Sequence, residues 1–237
     1  VFLLFLVHIF GVQVKGSKRW LDLIIIPRFQ PVELVKPLFI IYIAKIISSS
    51  KNINIYNKYL YSFIILFLVS VLLINQPDIG QTLLLILTWV AMIFVSGFNM
   101  IVLISLGFML IGTIILLIFF LPTKFGYIYL RIKTFVDPKQ GDNFQSEKAI
   151  DAIKKGGLTG EGMGEGILKD KVPEAHTDYI IATISEEFGA LFILFIMIIF
   201  LFIGYKVLNK VFLQKNEFIK LALTGLVSLL IIQIFIH

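Results

Sequence analysis

The sequence predicts an all-α polytopic membrane protein. Several apolar runs reach the roughly 20 residues that a helix needs to cross a bilayer. Their Leu, Ile and Phe do not alternate as barrel strands would, and 58% of the 237 residues are hydrophobic. A helix satisfies its own backbone hydrogen bonds, which lipid cannot do for it.

The first span, residues 1–14, opens as VFLLFLVHIF with neither an initiator Met nor the basic start of a signal peptide, so it is expected to lack its beginning. The loop KGSKRW leads to a second span over 31–49. Gln30-Pro31 is a good helix start, because Pro is tolerated at the first helical position. Glu33 and Lys36 stand three apart and share a helix face, and Pro37 cannot donate to the carbonyl of Glu33, which loosens the helix at that pair. Spans 59–75 and 79–96 are joined by the tight turn NQPDIGQT. A carboxylate such as Asp78 in the first turn complements the helix dipole. A span over 98–121 enters a long segment, 122–187, and spans 187–207 and 218–237 follow, the chain stopping inside the apolar run IIQIFIH. The reading is about seven helices in one bundle, residues 1–237, taken from the middle of a longer protein.

The net charge of +6 is informative through its placement. The loop after the second span carries Lys45, Lys51 and Lys58 with no acid, and Lys206, Lys210, Lys215 and Lys220 stand against Glu217 between the last two spans. Both loops fall on one side by parity, and the positive-inside rule makes that side cytoplasmic. The segment 122–187 then lies outside, with nine basic and eleven acidic residues. KGSKRW and Arg28 put positive charge on that outer side against the rule, which suits a site that meets an anion.

With no cysteine, disulfides, iron–sulfur clusters and Cys-ligated zinc are excluded. His8, His176 and His237 are far apart, and no P-loop, nucleophile elbow or dinucleotide fingerprint is present. Chemistry must come from polar residues at the membrane boundaries. RFQPVELVKP reads either as a neutralised structural pair or as a substrate contact, since charges inside a membrane segment face one another or a functional space. GGLTGEGMGEG has six glycines in eleven residues; it either approaches a ligand closely or simply moves. In KVPEAHTDYI, Thr177 can cap a helix whose first turn holds Asp178. At 100° per residue Asp178 shares a face with Ala182, Ser185 and Gly189, small residues that leave room for a neighbouring helix or a crevice. The carboxylate can serve as a cap or as a general base, although the helix dipole works against a base there.

PEAHTDYIIATISEEFGAL resembles the signature of the SEDS family (shape, elongation, division and sporulation). KGSKRWL, FQPVELVK, NQPDIGQTLLL and FVDPKQGDNFQSEKAIDAIKKGGLTGEGMGEG stand in that family's order and spacing, so the likeness covers essentially the whole chain. GDNFQ, the G-E-G after the glycines and Ala175 are more similar to the division branch than to the elongation branch. The chain departs at Val32, where the family usually has Ser, and at Phe144, where it usually has Tyr; a further family motif resembling PTKGLTLPFISYGG would follow His237. The resemblance implies a ten-span all-α bundle with 122–187 as its large extracytoplasmic loop, in the bacterial cytoplasmic membrane at the division septum. It implies glycosyl transfer: the 4-hydroxyl of a lipid II sugar attacks the anomeric carbon of a growing strand, and undecaprenyl diphosphate departs. Asp178 matches the family's essential aspartate, the proposed base. Arg19, Lys36 and Lys18 are candidates to hold diphosphate, and Glu33, Gln76, Asp78, Gln145, Ser146, Glu174, His176 and Thr177 complete the expected substrate-binding set. A divalent cation, magnesium or manganese, can assist the leaving group, and no organic cofactor is implied. The expected partners are a class B penicillin-binding protein and other division proteins, with no nucleic acid. A lipid II flippase, the elongation sibling or a non-catalytic scaffold are the alternative readings.

Overall fold

The computed structural model describes residues 2–14, 17–23, 26–49, 54–76, 78–99, 101–105, 107–108, 112, 116, 120, 144–166 and 180–236. Its helices are α1 (Phe2–Phe10), α2 (Pro31–Ile47), α3 (Ile55–Asn75), α4 (Ile79–Val95), α5 (Phe144–Gly156), α6 (Ile180–Leu213) and α7 (Glu217–Ile236). Between α1 and α2 run three short strands, β1 (Val12–Val14), β2 (Ser17–Leu23) and β3 (Ile26–Phe29). The chain gathers into two compact units, one of Val1–Phe98 with Leu201–Ile236, the other of Asn99–Phe200.

In the first unit the truncated span expected over residues 1–14 is helical up to Phe10 and gives way to β1 at Val12. The described helix runs from Phe2 and stops at Phe10. Gly11 ends it. Its N–H donates to the Val7 carbonyl at 2.8 Å, and a Cβ at this position would lie 2.2 Å from that same oxygen. The strands that follow form an antiparallel β1-β2-β3 sheet. In β2 the period of two turns Leu21 into the core and leaves Lys18 and Asp22 exposed; Asp22 pairs with Arg28 of β3 at 2.7 Å.

Helix α2 starts at Pro31 and carries Pro37 inside it. Its buried residues recur at helical spacing: Val32, Val35, Lys36, Phe39, Ile40, Ile43, Ala44 and Ile47. Against it lies α7, which also packs on α4. Gly225 permits this approach, since a Cβ there would come 2.5 Å from Ile40 Cγ2 and 2.8 Å from Met92 Sδ; small residues let helix backbones close up in a membrane bundle. Trp89 of α4 donates through Nε1 to Ser62 Oγ of α3 at 3.2 Å. Among the described residues, three helices are long and apolar enough to cross a membrane: Tyr56–Asn75, Ile180–Leu213 and Glu217–Phe235. Their exposed Phe67, Phe195 and Phe202 are the surface a lipid-facing helix presents. Helix α4, at 17 residues, is apolar but shorter. Half of the expected span over 98–121 lies outside the described residues, and its described residues from Ile101 on are helical.

In the second unit α5 lies on the start of α6 through small residues. Ala149 and Ala152 bury against Ala182, and a Cβ on Gly156 would stand 1.9 Å from the Ser185 carbonyl oxygen. Helix α6 is two helical stretches joined at Gly189, whose φ of 82° and ψ of 172° interrupt the ladder. In an unbroken helix the carbonyls of Glu186 and Glu187 would accept from the N–H groups of Ala190 and Leu191. Here the glycine-rich loop supplies the partners. Glu161 and Gly162 donate to the Glu186 and Glu187 carbonyls at 3.0 and 3.1 Å, while Ala190 and Leu191 donate to the carbonyls of Gly157 and Leu158 at 2.9 and 3.2 Å. The loop is inserted into the helix ladder, and these backbone groups, freed by the break, are all satisfied.

Candidate functional site

At one end of the first unit, the start of α2, the α3–α4 turn, strand β2 and the end of α7 bring polar groups together. Each is delivered by a local rule. Pro31 sets the first turn of α2, so Glu33 falls in that turn and Lys36 one step deeper on the same face. Asp78 is the N-cap of α4 and its side chain accepts from the Gln81 N–H. Strand β2 presents Arg19 toward this turn, where its Nε donates to the Gln76 carbonyl at 3.3 Å.

The geometry links two ion pairs through amides. Lys36 Nζ donates to the Glu33 carboxylate at 2.7 Å and to Gln233 Oε1 at 3.3 Å. Gln81 Nε2 lies 3.5 Å from Glu33 Oε1. Asp78 receives Gln30 Nε2 at 3.3 Å and faces Arg19 Nε at 3.8 Å. Gln76 Nε2 donates back to the Leu4 carbonyl at 3.1 Å, which ties the turn to α1. Two cations and two carboxylates leave the cluster neutral.

Burial is uneven within it. The Lys36 side chain is 1% exposed and that of Glu33 47%. A buried ammonium must be paired and hydrogen-bonded, so Lys36 is the enclosed partner and Glu33 the one that meets the surroundings. Asp78 is buried in the turn, and that burial pushes its carboxyl above the ordinary aspartate range against the opposing pull of Arg19 and the Gln81 N–H.

Of the residues expected from sequence, Arg19, Glu33, Lys36, Gln76 and Asp78 come together here. With Lys36 enclosed, its pair with Glu33 is not a solvated surface ion pair. Lys18 points to the exposed face of β2. Gln145 and Ser146 lie on α5 of the other unit. Glu174, His176, Thr177 and Asp178 lie outside the described residues. Sequence reasoning does not single out Gln81 or Gln233 and reads Gln30 only as a helix start. The available signal is their polarity: Gln233 is a lone amide in the apolar end of α7, where an uncompensated polar group is costly.

In the second unit the small face of α6 receives a neighbour, as its composition predicts: Ala182 and Ser185 take α5, and Gly189 takes the loop. Glu186 is fully buried there with Lys155 Nζ 3.6 Å away. Lys155 also pairs with Glu161 at 2.7 Å, and that hydrogen bond holds its ammonium above the usual lysine range.

The described residues do not fit a divalent cation. No three His, Cys, Asp or Glu side chains converge among them, and Glu33 and Asp78 each already face a cation.

The chain matches, over residues 1–237, the model of the FtsW/RodA/SpoVE family, described as cell cycle proteins. A protein of Caulobacter vibrioides named "Probable peptidoglycan glycosyltransferase FtsW" is 30% identical over 216 residues, covering 91% of this chain and 54% of its own length. The protein of the same name from Haemophilus ducreyi is 35% identical over 215 residues, covering 87% and 53%. The chain thus spans about half the length of the curated relatives it matches. Among solved structures, a chain from a study of "structural coordination of polymerization and crosslinking by a peptidoglycan synthase complex" superimposes with a TM-score of 0.73 at 20% identity, over 96% of this chain and 63% of that one. The rod shape determining protein RodA of Thermus thermophilus gives a TM-score of 0.63 at 19% identity, over 99% and 60%. At these identities the solved structures speak for the fold.

Proposed function

The chain belongs to the FtsW/RodA/SpoVE family of cell cycle proteins, and from that premise we propose that the whole protein is a peptidoglycan glycosyltransferase that polymerises lipid II into glycan strands during cell division. The observation that carries this reading is the neutral cluster of Arg19, Glu33, Lys36 and Asp78 in the family's own motifs at one end of an apolar bundle, with Lys36 and Asp78 buried and Glu33 half open. The names of the relatives agree with it.

In the proposed reaction Asp178, which precedes α6 in sequence, accepts the proton of the lipid II 4-hydroxyl. The oxygen forms a bond to the anomeric carbon of the growing strand, and the bond from that carbon to undecaprenyl diphosphate breaks. Arg19 offers a fork of donors suited to a phosphate. Lys36, enclosed by Glu33 and Gln233, supports the Glu33 carboxylate, which is the group placed to receive hydroxyl donors of the substrate. Gln76 and Asp78 fix the turn beside them. Gln145, Ser146, Glu174, His176 and Thr177 are proposed as further substrate contacts on the strength of the sequence motifs.

The cluster lies where α2 and α4 begin and α3 and α7 end. The opposite ends carry Lys45, Lys58 and Lys220, so the positive-inside rule supports a cytoplasmic placement for them and an outer placement for the cluster. A class B penicillin-binding protein is the proposed partner, and the cytoplasmic membrane at the septum the proposed site of action. The structural neighbour from the study of a synthase complex supports that partnership.

A flippase would place its decisive charges near the bilayer midplane, yet Glu33 is in the first turn of α2 and Asp78 caps α4. Full-length protein with its partner, given lipid II in detergent where transport has no meaning, should yield glycan strands. A folded complex that makes none, while moving lipid II across sealed vesicles, would decide for transport.

A further inference from the structure

We propose that Gln233 is a positioning residue for this site: it fixes the Lys36 ammonium from α7 and, through it, the Glu33 carboxylate that meets the substrate. The inference rests on the polymerase reading for its catalytic part. An ammonium has three donors and no acceptor. Lys36 is 1% exposed, so its donors depend on protein groups; among the described residues they reach Glu33 at 2.7 Å and Gln233 Oε1 at 3.3 Å. The second acceptor comes from a residue 197 positions away in sequence, on a helix that packs against α2 through the small Gly225.

The choice of an amide has a chemical meaning. Glu33 already balances the lysine charge, and Arg19 balances Asp78, so the cluster is neutral. A neutral acceptor at position 233 can orient the ammonium without adding a further charge to a site that receives a diphosphate-bearing substrate. A carboxylate there would orient Lys36 equally well but would leave the site one negative charge in excess. Gln233 therefore supplies direction without charge, and it couples the end of α7 to the first turn of α2.

The test is a double-mutant cycle on the full-length protein in complex with its partner, read in two ways. Thermal unfolding of wild type, Gln233→Met, Lys36→Met and the double variant tests the contact itself and needs no activity. The Tm loss caused by Gln233→Met should disappear once Lys36 is Met; Lys36→Gln serves as the second background if Lys36→Met does not fold. Losses that simply add would overturn the proposal. Steady-state kinetics test the catalytic part. Losing one hydrogen bond to a buried charge should lower kcat about tenfold for Gln233→Met, with KM nearly unchanged. Gln233→Glu should recover most of kcat while raising KM, because it restores the acceptor and adds a repelling charge. A Gln233→Met enzyme with wild-type kcat would leave the contact purely structural and end the proposal. If wild type itself makes no strands, the polymerase reading fails with the catalytic part, while the Tm cycle still judges the Gln233–Lys36 link on its own.

Discussion

Lys36 marks the boundary between what neighbouring residues encode and what distant ones decide. Its spacing from Glu33 gives the pair, and its place inside an apolar helix marks it as costly. The asymmetry of the pair, with the lysine enclosed and the carboxylate half open, depends on α7, which no local pattern around residue 36 encodes. Replacing Lys36 by Met should cut polymerisation at least about tenfold, the scale of a lost charged hydrogen bond. Lys36→Arg should restore it only in part, since a planar fork does not fit a slot shaped for a compact ammonium. A wild-type rate for Lys36→Met, measured as strand yield from lipid II, would make the pair structural. Asp78 makes a different prediction. Burial raises its carboxyl pKa in the fold, so the folded chain holds this proton more tightly than the unfolded one. The stability this contributes is full below the ordinary aspartate range and is lost as pH rises through the raised value. Asn keeps the helix cap without the charge, whereas Ala loses the cap at about 1 kcal/mol. Thermal unfolding at neutral pH should therefore rank Asp78→Asn near wild type and Asp78→Ala clearly below both.

Elements are legible in proportion to how local their causes are. Pro31, the Asp78 cap and the long apolar runs mark α2, α4, α3 and α7 within a few residues. The strands after α1 are hidden behind the charges of KGSKRW, and only Leu21-Asp22-Leu23 alternates apolar and polar as a strand does. The glycine-rich stretch is the instructive case. Its composition announces a close approach, and the approach is to the chain's own helix, where residues 157–162 fill the ladder opened at Gly189. That partner is tertiary and has no signature in the glycines. Substituting Gly189 by Ala places a side chain at φ 82° with its Cβ 2.3 Å from the Leu158 carbonyl oxygen, and at Gly160 (φ 80°) the contact is 2.2 Å from the Glu187 oxygen. Each change should destabilise this element by about 1–3 kcal/mol. Hydrogen exchange reads it directly: the amides of Glu161, Gly162, Ala190 and Leu191 should be protected in the wild type and lose protection together in either variant. Unchanged protection would mean that the inserted loop does not depend on the glycines.

For the whole molecule, the apolar helices and the family match make a multi-pass membrane protein, and the charge pattern supports one orientation in the bilayer. Cysteines placed at Lys139 and Glu161 should react with an impermeant maleimide in intact spheroplasts, and one at Asn54 should not; the reverse pattern would overturn an extracytoplasmic reaction. The part of the site that sequence alone carries is the PEAHTD motif, whose Asp178 is assigned by family resemblance and whose chemistry no helical spacing can establish. The proposed reaction stands or falls with Asp178 as the base in strand synthesis. Its decisive measurement is strand formation from lipid II in detergent by the full-length protein with its partner, comparing wild type with Asp178→Asn, a nearly isosteric change that removes the base. Strands are expected from the wild type and none from a variant that inserts, folds and binds its partner normally. Undiminished strand synthesis by that variant would refute the role of Asp178.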